Sequence, residues 1–192
     1  MLAERTTSTM PLHILGIVGS LRKASLNGAL MRAAIELAPP DVTIEVADIA
    51  AIPPYNQDWE FNPPAAVAEL KARVRSTDGV LFATPEYNYS IPGVLKNAID
   101  WVSRPYGDNA WDGKPVALMG ASLGPLGTAR CQYHLRQSFL TLNVIPVTRP
   151  EVMLGTADQR FDADLRLVDE KSREMVARLV MSLKVLIEKV RS

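Results

Sequence analysis

Short apolar runs alternate with longer segments of helical periodicity along most of the chain, and this alternation constrains the fold most. The continuous apolar runs are typical of strands that are buried on both faces, as in a parallel sheet. The segments between them repeat apolar residues every three or four positions, as helices packed on a sheet do. Strict alternation without a repeat or a long linker predicts one doubly wound α/β sheet.

Five strands and five helices are predicted. The strands are expected at 12–18, 42–47, 79–84 and 116–120, with a last short strand within 144–153. The helices are expected from Leu26 to before Pro39-Pro40, from Pro63-Pro64 with Val67, Leu70 and Val74 inside, from Pro92 to about Trp101, from Gly127 to about Asn143, and along Met175, Leu179, Leu183, Leu186 and Val190.

The charge balance and the cysteine content narrow the class of protein. The 21 basic residues offset 21 acidic ones without a run of like charge, which argues against a nucleic-acid binder. No segment approaches the roughly 20 apolar residues that span a bilayer. Cys131 is the only cysteine, so no intramolecular disulfide can form and a cytoplasmic location is expected. Residues 11–192 are predicted to form one domain, preceded by a flexible tail at 1–10.

Ligands of doubly wound sheets bind beyond the carboxyl ends of the strands, so the loops after strands one, three and four are the informative ones. The first, residues 19–27, brings hydroxyls from Ser20 and Ser25, the Asn27 amide and the Arg22 guanidinium to a helix N-terminus. This donor set suits a terminal phosphate monoester. An ordinary turn with Ser25 as the N-cap is the alternative.

The second loop, residues 84–93, has prolines near both ends that would fix its backbone groups in space. Fixed N–H and C=O groups can bind the edge of a flat heteroaromatic ring, while Tyr87 or Ile91 packs against its face. Glu86 is predicted to order the loop or cap a helix rather than to act as a catalytic acid. Surface exposure of Tyr87 and Tyr89 is the simpler alternative.

The third loop, residues 120–127, has glycines at 120, 124 and 127 that would let its backbone approach a ligand closely. The glycine spacing alone is weakly specific. Its position at the same edge of the sheet as the other two loops gives it weight.

These loops, and almost the whole chain from Leu12 to Val190, resemble the NADPH-dependent FMN reductase family. That family is the flavodoxin-like group that includes bacterial quinone and chromate reductases. The resemblance is carried by GSLRKASLN at 19–27, PEYNYSIPGVLKNAIDW at 85–101, GKP at 113–115, ASLGPLG at 121–127 and ARCQYHLR at 129–136. One departure is Thr128, where many relatives have a second glycine.

The resemblance implies a five-stranded parallel sheet of order 2-1-3-4-5 between two helical layers, with non-covalently bound FMN. By it, the phosphate is held by Ser20, Arg22, Ser25, Leu26 and Asn27. The isoalloxazine is lined by Pro85, Glu86, Tyr87 and Asn88, and the site is closed by Ser122 and Gly124.

The activity implied is NAD(P)H-dependent reduction of quinones and other small oxidants by ping-pong hydride transfer through flavin N5. Chromate, azo dyes and ferric complexes are further expected acceptors. No side chain is assigned a catalytic role, because the reaction takes place on the cofactor. One alternative is a flavodoxin-like electron carrier, which the neutral net charge of this chain disfavours. The other is a reductase that releases reduced FMN. The physiological acceptor and the preference for NADPH or NADH stay open.

Other polar and apolar residues are assigned to the core or to a subunit contact. Cys131 lies on an apolar helical stripe and Trp101 beside Val102, so both are expected inside. His13 and His134 share no metal-ligand spacing with Cys131.

Self-association as a homodimer or homotetramer follows from the resemblance. Arg130, Tyr133 and Gln137 share a polar helix face that resembles an interface, with Glu151 as a partner for these groups. A solvated helix face is the alternative.

Overall fold

A computed structural model describes residues 11–192, and the predicted tail at 1–10 lies outside them. The strands are β1 (Leu12–Val18), β2 (Val42–Ala47), β3 (Gly79–Ala83), β4 (Pro115–Ala121), β5 (Ile145–Pro146) and β6 (Val152–Leu154). The helices are α1 (Leu26–Glu36), α2 (Ala65–Ser76), α3 (Gly93–Val102), α4 (Ala129–Thr141) and α5 (Glu170–Arg191). Each predicted helix is present, with its ends shifted by a few residues at most.

The strands form one parallel sheet of order β2-β1-β3-β4-β5, with β6 also paired to β4. This confirms the predicted order 2-1-3-4-5. Because every pairing is parallel, the carboxyl ends of β1, β3 and β4 lie next to one another at the same edge of the sheet.

The sheet differs from the prediction at its last strand, which is divided in two. β5 pairs with the start of β4 at Pro115 and Val116, and β6 pairs with its end from Met119 to Ala121. Pro146 ends β5 and Pro150 lies between the two pieces. A proline has no N–H to donate to a β-ladder, so the pairing is interrupted there.

Helices cover both faces of the sheet, and the alternation of side chains along β1 shows how. Leu12 and Ile14 pack with residues of α1 and α5 in one core cluster. Leu15 and Ile17 pack with residues of α2, α3 and α4 in the other. Successive side chains of a strand point to opposite faces, so each apolar run supplies both cores. The predicted three-layer arrangement is confirmed.

The residues expected inside are inside. Cys131, Leu135, Phe139 and Trp101 are all buried, and the Trp101 indole donates to the Pro53 carbonyl at 2.8 Å. Burial raises the pKa of the Cys131 thiol to about 11, so it is protonated at neutral pH and behaves as a small apolar side chain. None of the helices in residues 11–192 combines the length and apolarity that crossing a bilayer requires.

Candidate functional site

The three predicted loops meet at the carboxyl edge of the sheet. Two backbone hydrogen bonds continue the ladders beyond the strands, from Gly19 N to Ala83 O at 2.9 Å and from Thr84 N to Met119 O at 3.0 Å. Beyond them opens a cleft to which all three loops contribute. Its lining residues are Ser20, Arg22, Ser25, Leu26, Asn27, Pro85, Glu86, Tyr87, Ala121, Ser122 and Leu123.

Most residues predicted to bind a cofactor line this cleft, but Asn88, Ile91 and Gly124 do not. Ile91 packs instead against the core cluster under α2, α3 and α4, which accounts for its partial burial. Ala121 and Leu123 line the cleft and were missed. Their position on either side of Ser122 is the signal in the sequence that could have found them.

The first loop brings groups that can bind an anion to the start of α1. Ser25 caps the helix by accepting a hydrogen bond from Gly28 N at 3.2 Å, which leaves its hydroxyl hydrogen free to donate. The first turn of α1 contains no acidic residue. Within residues 11–192 no carboxylate pairs with the exposed Arg22. The positive end of the helix dipole and a free guanidinium therefore face the same cleft.

Asn27 lines the cleft, and its side-chain amide also makes two hydrogen bonds within the protein. Its side chain is 3% exposed. The side-chain amide donates to Ala121 O at 3.0 Å, and its oxygen accepts from Ala121 N at 2.9 Å. This pair of bonds joins the start of α1 to the end of β4. Asn27 thus fixes the first loop relative to the third, with one amide hydrogen still available.

The second loop turns back on itself through an unusual backbone conformation. Tyr87 and Ser90 exchange backbone hydrogen bonds of 3.1 and 3.0 Å, and the two residues between them, Asn88 and Tyr89, have φ values of 49° and 65°. Two consecutive positive φ values are typical of turns that prefer glycine. For tyrosine this conformation costs about 1–2 kcal/mol, so neighbouring elements must hold the turn in place.

Glu86 links the second loop to α4, as its loop-ordering or capping interpretation predicts. The buried carboxylate accepts from Cys131 N at 3.1 Å in the first turn of α4. It also accepts from Arg130 Nε at 2.5 Å. A negative charge at this position is favoured by the helix dipole. Conversely, the Glu86 carboxylate raises the pKa of the Arg130 guanidinium.

Close backbone packing positions the third loop. Ser122 N donates to Leu154 O at 2.9 Å, and Ala157 N donates to Ser122 O at 3.1 Å. A Cβ at Gly155 would overlap the Pro125 carbonyl, and one at Gly120 would overlap the oxygens of neighbouring residues. Nothing in the sequence marks Gly155, which lies outside the predicted loop, as part of this arrangement.

A larger cavity, of about 390 Å³, lies away from the cleft, between α2, the end of α3, the loop before α2 and the segment after α3. Its charged groups are already paired with one another. Lys71 Nζ lies 2.8 Å from Asp108, and Arg104 Nε lies 2.5 Å from Glu60. The hydrogen bond from Arg104 holds the pKa of the Glu60 carboxyl below its usual value. This cavity therefore offers no unpaired charge to a ligand, in contrast to the cleft at the sheet edge.

A parallel sheet of order 2-1-3-4-5 with a cleft formed by three loops at its carboxyl edge is typical of flavodoxin-like flavoproteins. The sequence profile of the NADPH-dependent FMN reductases matches residues 12–159. The chain belongs to the NADPH-dependent FMN reductase family. It is an oxidoreductase with FMN as cofactor and NAD(P)H as electron donor.

Relatives agree with this assignment. An NAD(P)H-dependent FMN reductase of Pseudomonas aeruginosa is 49% identical over 94% of this chain and 97% of its own length. A 2-hydroxy-1,4-benzoquinone reductase of a Burkholderia species is 42% identical over 86% of this chain and 90% of its own. The solved structure of FerB, a flavoenzyme NAD(P)H:acceptor oxidoreductase from Paracoccus denitrificans, superposes with a TM-score of 0.86 at 39% identity, over 93% of this chain and 98% of that one.

Proposed function

We propose that the cleft binds FMN, with its phosphate at the start of α1, and that the chain uses NAD(P)H to reduce quinones. The observation that carries this proposal is the anion site of Ser20, Arg22 and Ser25, which opens into the same cleft as the second and third loops. The donors match a phosphate monoester, since they combine two hydroxyls, a free guanidinium and a helix N-terminus without a competing acid.

The rest of the cleft fits the ring of FMN. Pro85, Glu86 and Tyr87 would line one edge of the isoalloxazine, while Ser122 and the backbone beside it would close the other side. When bound, FMN supplies hydride acceptance at N5 and delivery of electrons to an oxidant. The protein residues bind and orient the reactants, and none is proposed as an acid or base. Because the loops form one opening, nucleotide and oxidant would use it in turn.

The rim of the cleft favours flat, uncharged acceptors. Each of the three loops exposes large apolar side chains, and two of these, Tyr87 and Leu123, line the cleft itself; the others are Leu21, Tyr89 and Leu126. Arg130, at the start of α4, is paired with Glu86, which lines the cleft. Among residues 11–192, no cation lines this end of the cleft to bind an oxyanion such as chromate. The name of the Burkholderia relative, a benzoquinone reductase, supports the same class of acceptor.

Substitution of Arg22, one of two adjacent cations in the first loop, tests the proposed phosphate site. Arg22→Met should raise the dissociation constant for FMN at least about tenfold, because a charge-assisted hydrogen bond contributes roughly 1.5–3 kcal/mol. Fluorescence titration of the apoprotein measures it. Lys23→Met is the matched control, since Lys23 is equally exposed but does not line the cleft, and it should change the affinity less than about twofold.

Riboflavin, which lacks the phosphate, separates phosphate binding from a general effect on the cleft. Its affinity should be the same for wild type and Arg22→Met. If Arg22→Met lost as much affinity for riboflavin as for FMN, the proposed position of the phosphate would be contradicted. The same holds if Lys23→Met lowered the affinity for FMN as much as Arg22→Met does.

Turnover with NADPH and 1,4-benzoquinone should give parallel double-reciprocal lines, with kcat/KM for the quinone at least about tenfold above that for chromate. Leu123→Ser should lower kcat/KM for the quinone several-fold and leave chromate unaffected. Val168→Ser, at an exposed apolar residue outside the cleft and outside α4, is the control. FMN binding without turnover would favour an electron carrier, and loss of flavin on gel filtration would favour a reductase that releases it. Chromate turnover equal to that of quinone would refute the acceptor preference.

Self-association and location complete the proposal. On α4, the exposed Tyr133, Gln137 and Leu140 lie on one face at helical spacing, and exposed Glu151 follows β5. We therefore propose homodimer or homotetramer formation through this face, while Arg130 pairs with Glu86 of its own chain.

A cytoplasmic location is proposed from the single cysteine.

A further inference from the structure

The turn from Tyr87 to Ser90 has a backbone conformation typical of glycine but contains no glycine. Residues in the first turns of α4 make the contacts that stabilise this conformation. Three contacts cross between them. Glu86 accepts hydrogen bonds from α4, as described above. The guanidinium of Arg130 lies over the Tyr89 ring, 3.5 Å from its centroid, and Ser90 Oγ lies 2.9 Å from His134 Nδ1. Every residue of the turn from Tyr87 to Ser90 is therefore part of a contact with α4 or next to a residue that makes one.

Arg130 is the only residue that joins two of these contacts. It pairs with the carboxylate before the turn and stacks on the aromatic ring at its second left-handed residue. An arginine side chain suits both tasks, because its planar guanidinium can donate along its edge while its face packs on a ring. A lysine could keep the charge pair but could not reproduce the stacked plane.

We propose that Arg130 is a positioning residue for the flavin. It holds Glu86 and Tyr89 so that the backbone of the second loop is ready to receive the ring edge. The inference rests on the proposed function, since it concerns the same cleft. It assigns to Arg130 a role within its own chain, beyond the subunit contact expected from the sequence. Arg130 does not line the cleft, so it acts through the loop.

The test is the affinity of apoprotein variants for FMN. Arg130→Met, which keeps the length of the side chain and removes the charge, should raise the dissociation constant about tenfold. Arg130→Lys should recover part of that loss. The visible absorption of bound FMN should lose fine structure in Arg130→Met, because the ring edge is less firmly held. Arg178→Met, the same change at an exposed arginine of α5, should match wild type in both measurements.

Two further measurements separate positioning from stability and from assembly. Thermal unfolding should show that the Arg130→Met apoprotein is still folded at the titration temperature, with a lower melting temperature than Arg178→Met because the buried Glu86 carboxylate loses its partner. In the double variant with Glu86→Gln, the dissociation constant should rise no further than in the more affected single variant, since both substitutions break the same link. The loss should also be the same at protein concentrations where sedimentation shows different degrees of assembly.

Several results would overturn the inference. These are an unchanged dissociation constant in Arg130→Met, multiplicative effects of the two substitutions, or a loss that appears only where the assembly dissociates. A wild-type apoprotein that takes up no FMN would instead remove the proposed function, and the inference with it.

Discussion

Asn27→Asp is expected to lower the free energy of unfolding by about 2 kcal/mol at neutral pH, because the buried hydrogen bond that it loses outweighs the favourable position of a negative charge in the first turn of α1. The substitution removes the donor to Ala121 O and places a charge where the side chain is 3% exposed. One oxygen could still accept from Ala121 N, but the other would face the Ala121 carbonyl. Chemical denaturation measures the loss.

The loss should depend on pH in a defined direction. Burial raises the pKa of the introduced carboxyl above its unfolded value of about 3.9, so the unfolded state ionises first as the pH rises. The destabilisation is therefore greatest at neutral pH and shrinks as the pH falls towards 4, where the protonated carboxyl can donate to Ala121 O as the amide does.

Two controls separate charge from hydrogen bonding in this experiment. Asn27→Leu removes both hydrogen bonds without a charge and should be destabilised to a similar extent at all pH values. Asn62→Asp makes the same chemical change at an exposed position and should stay within about 0.5 kcal/mol of wild type. A pH-independent loss in Asn27→Asp would contradict the buried-charge explanation.

Gly120→Ala should cost about 3 kcal/mol of folding free energy and with it most of the FMN affinity. The added methyl group would overlap the Thr84 carbonyl and the Thr128 hydroxyl, at the point where β4 passes into the third loop. The Thr84 carbonyl belongs to the backbone, so relief requires the second and third loops to move apart. Thermal unfolding and FMN titration of the purified variant measure the two losses.

Gly93→Ala is the matched control for this prediction. A Cβ at Gly93 would have no neighbour within 4 Å, and the residue begins α3, where alanine is favoured. Its stability should equal or slightly exceed that of wild type. The double variant Gly120→Ala/Thr128→Gly should recover only part of the loss, because the clash with Thr84 remains. Full recovery would mean that the threonine side chain alone limits the space.

Local patterns predicted the fold because each strand and helix is specified by residues close together in the chain. The apolar run at 12–18 and the cap at Ser25 are complete within a few residues. The division of the last strand was missed, since a three-residue strand such as Val152–Leu154 leaves no periodicity to detect. The prolines at 146 and 150 were the available sign that one continuous strand could not form there.

The site was predicted least well where its geometry depends on residues far apart in sequence. Ser20, Arg22 and Ser25 come from one loop, so their convergence could be read locally. The bond between Asn27 and Ala121 joins positions 94 residues apart, and that between Glu86 and Cys131 joins positions 45 apart. Arg130 was assigned to an outer surface because its helical face is visible in the sequence, while its partners across the fold are not.

The residues of the three loops fall into an inner set fixed by hydrogen bonds and close packing and an outer set of exposed apolar side chains. Leu21, Leu123 and Leu126 each leave more than half of their surface in solvent. The residues behind them are held by capping, buried amide bonds and close backbone contacts. Randomising these three leucines should therefore change which oxidants are reduced, while the fold and the affinity for FMN are retained. The chain is then a tractable scaffold for selecting new acceptor specificities.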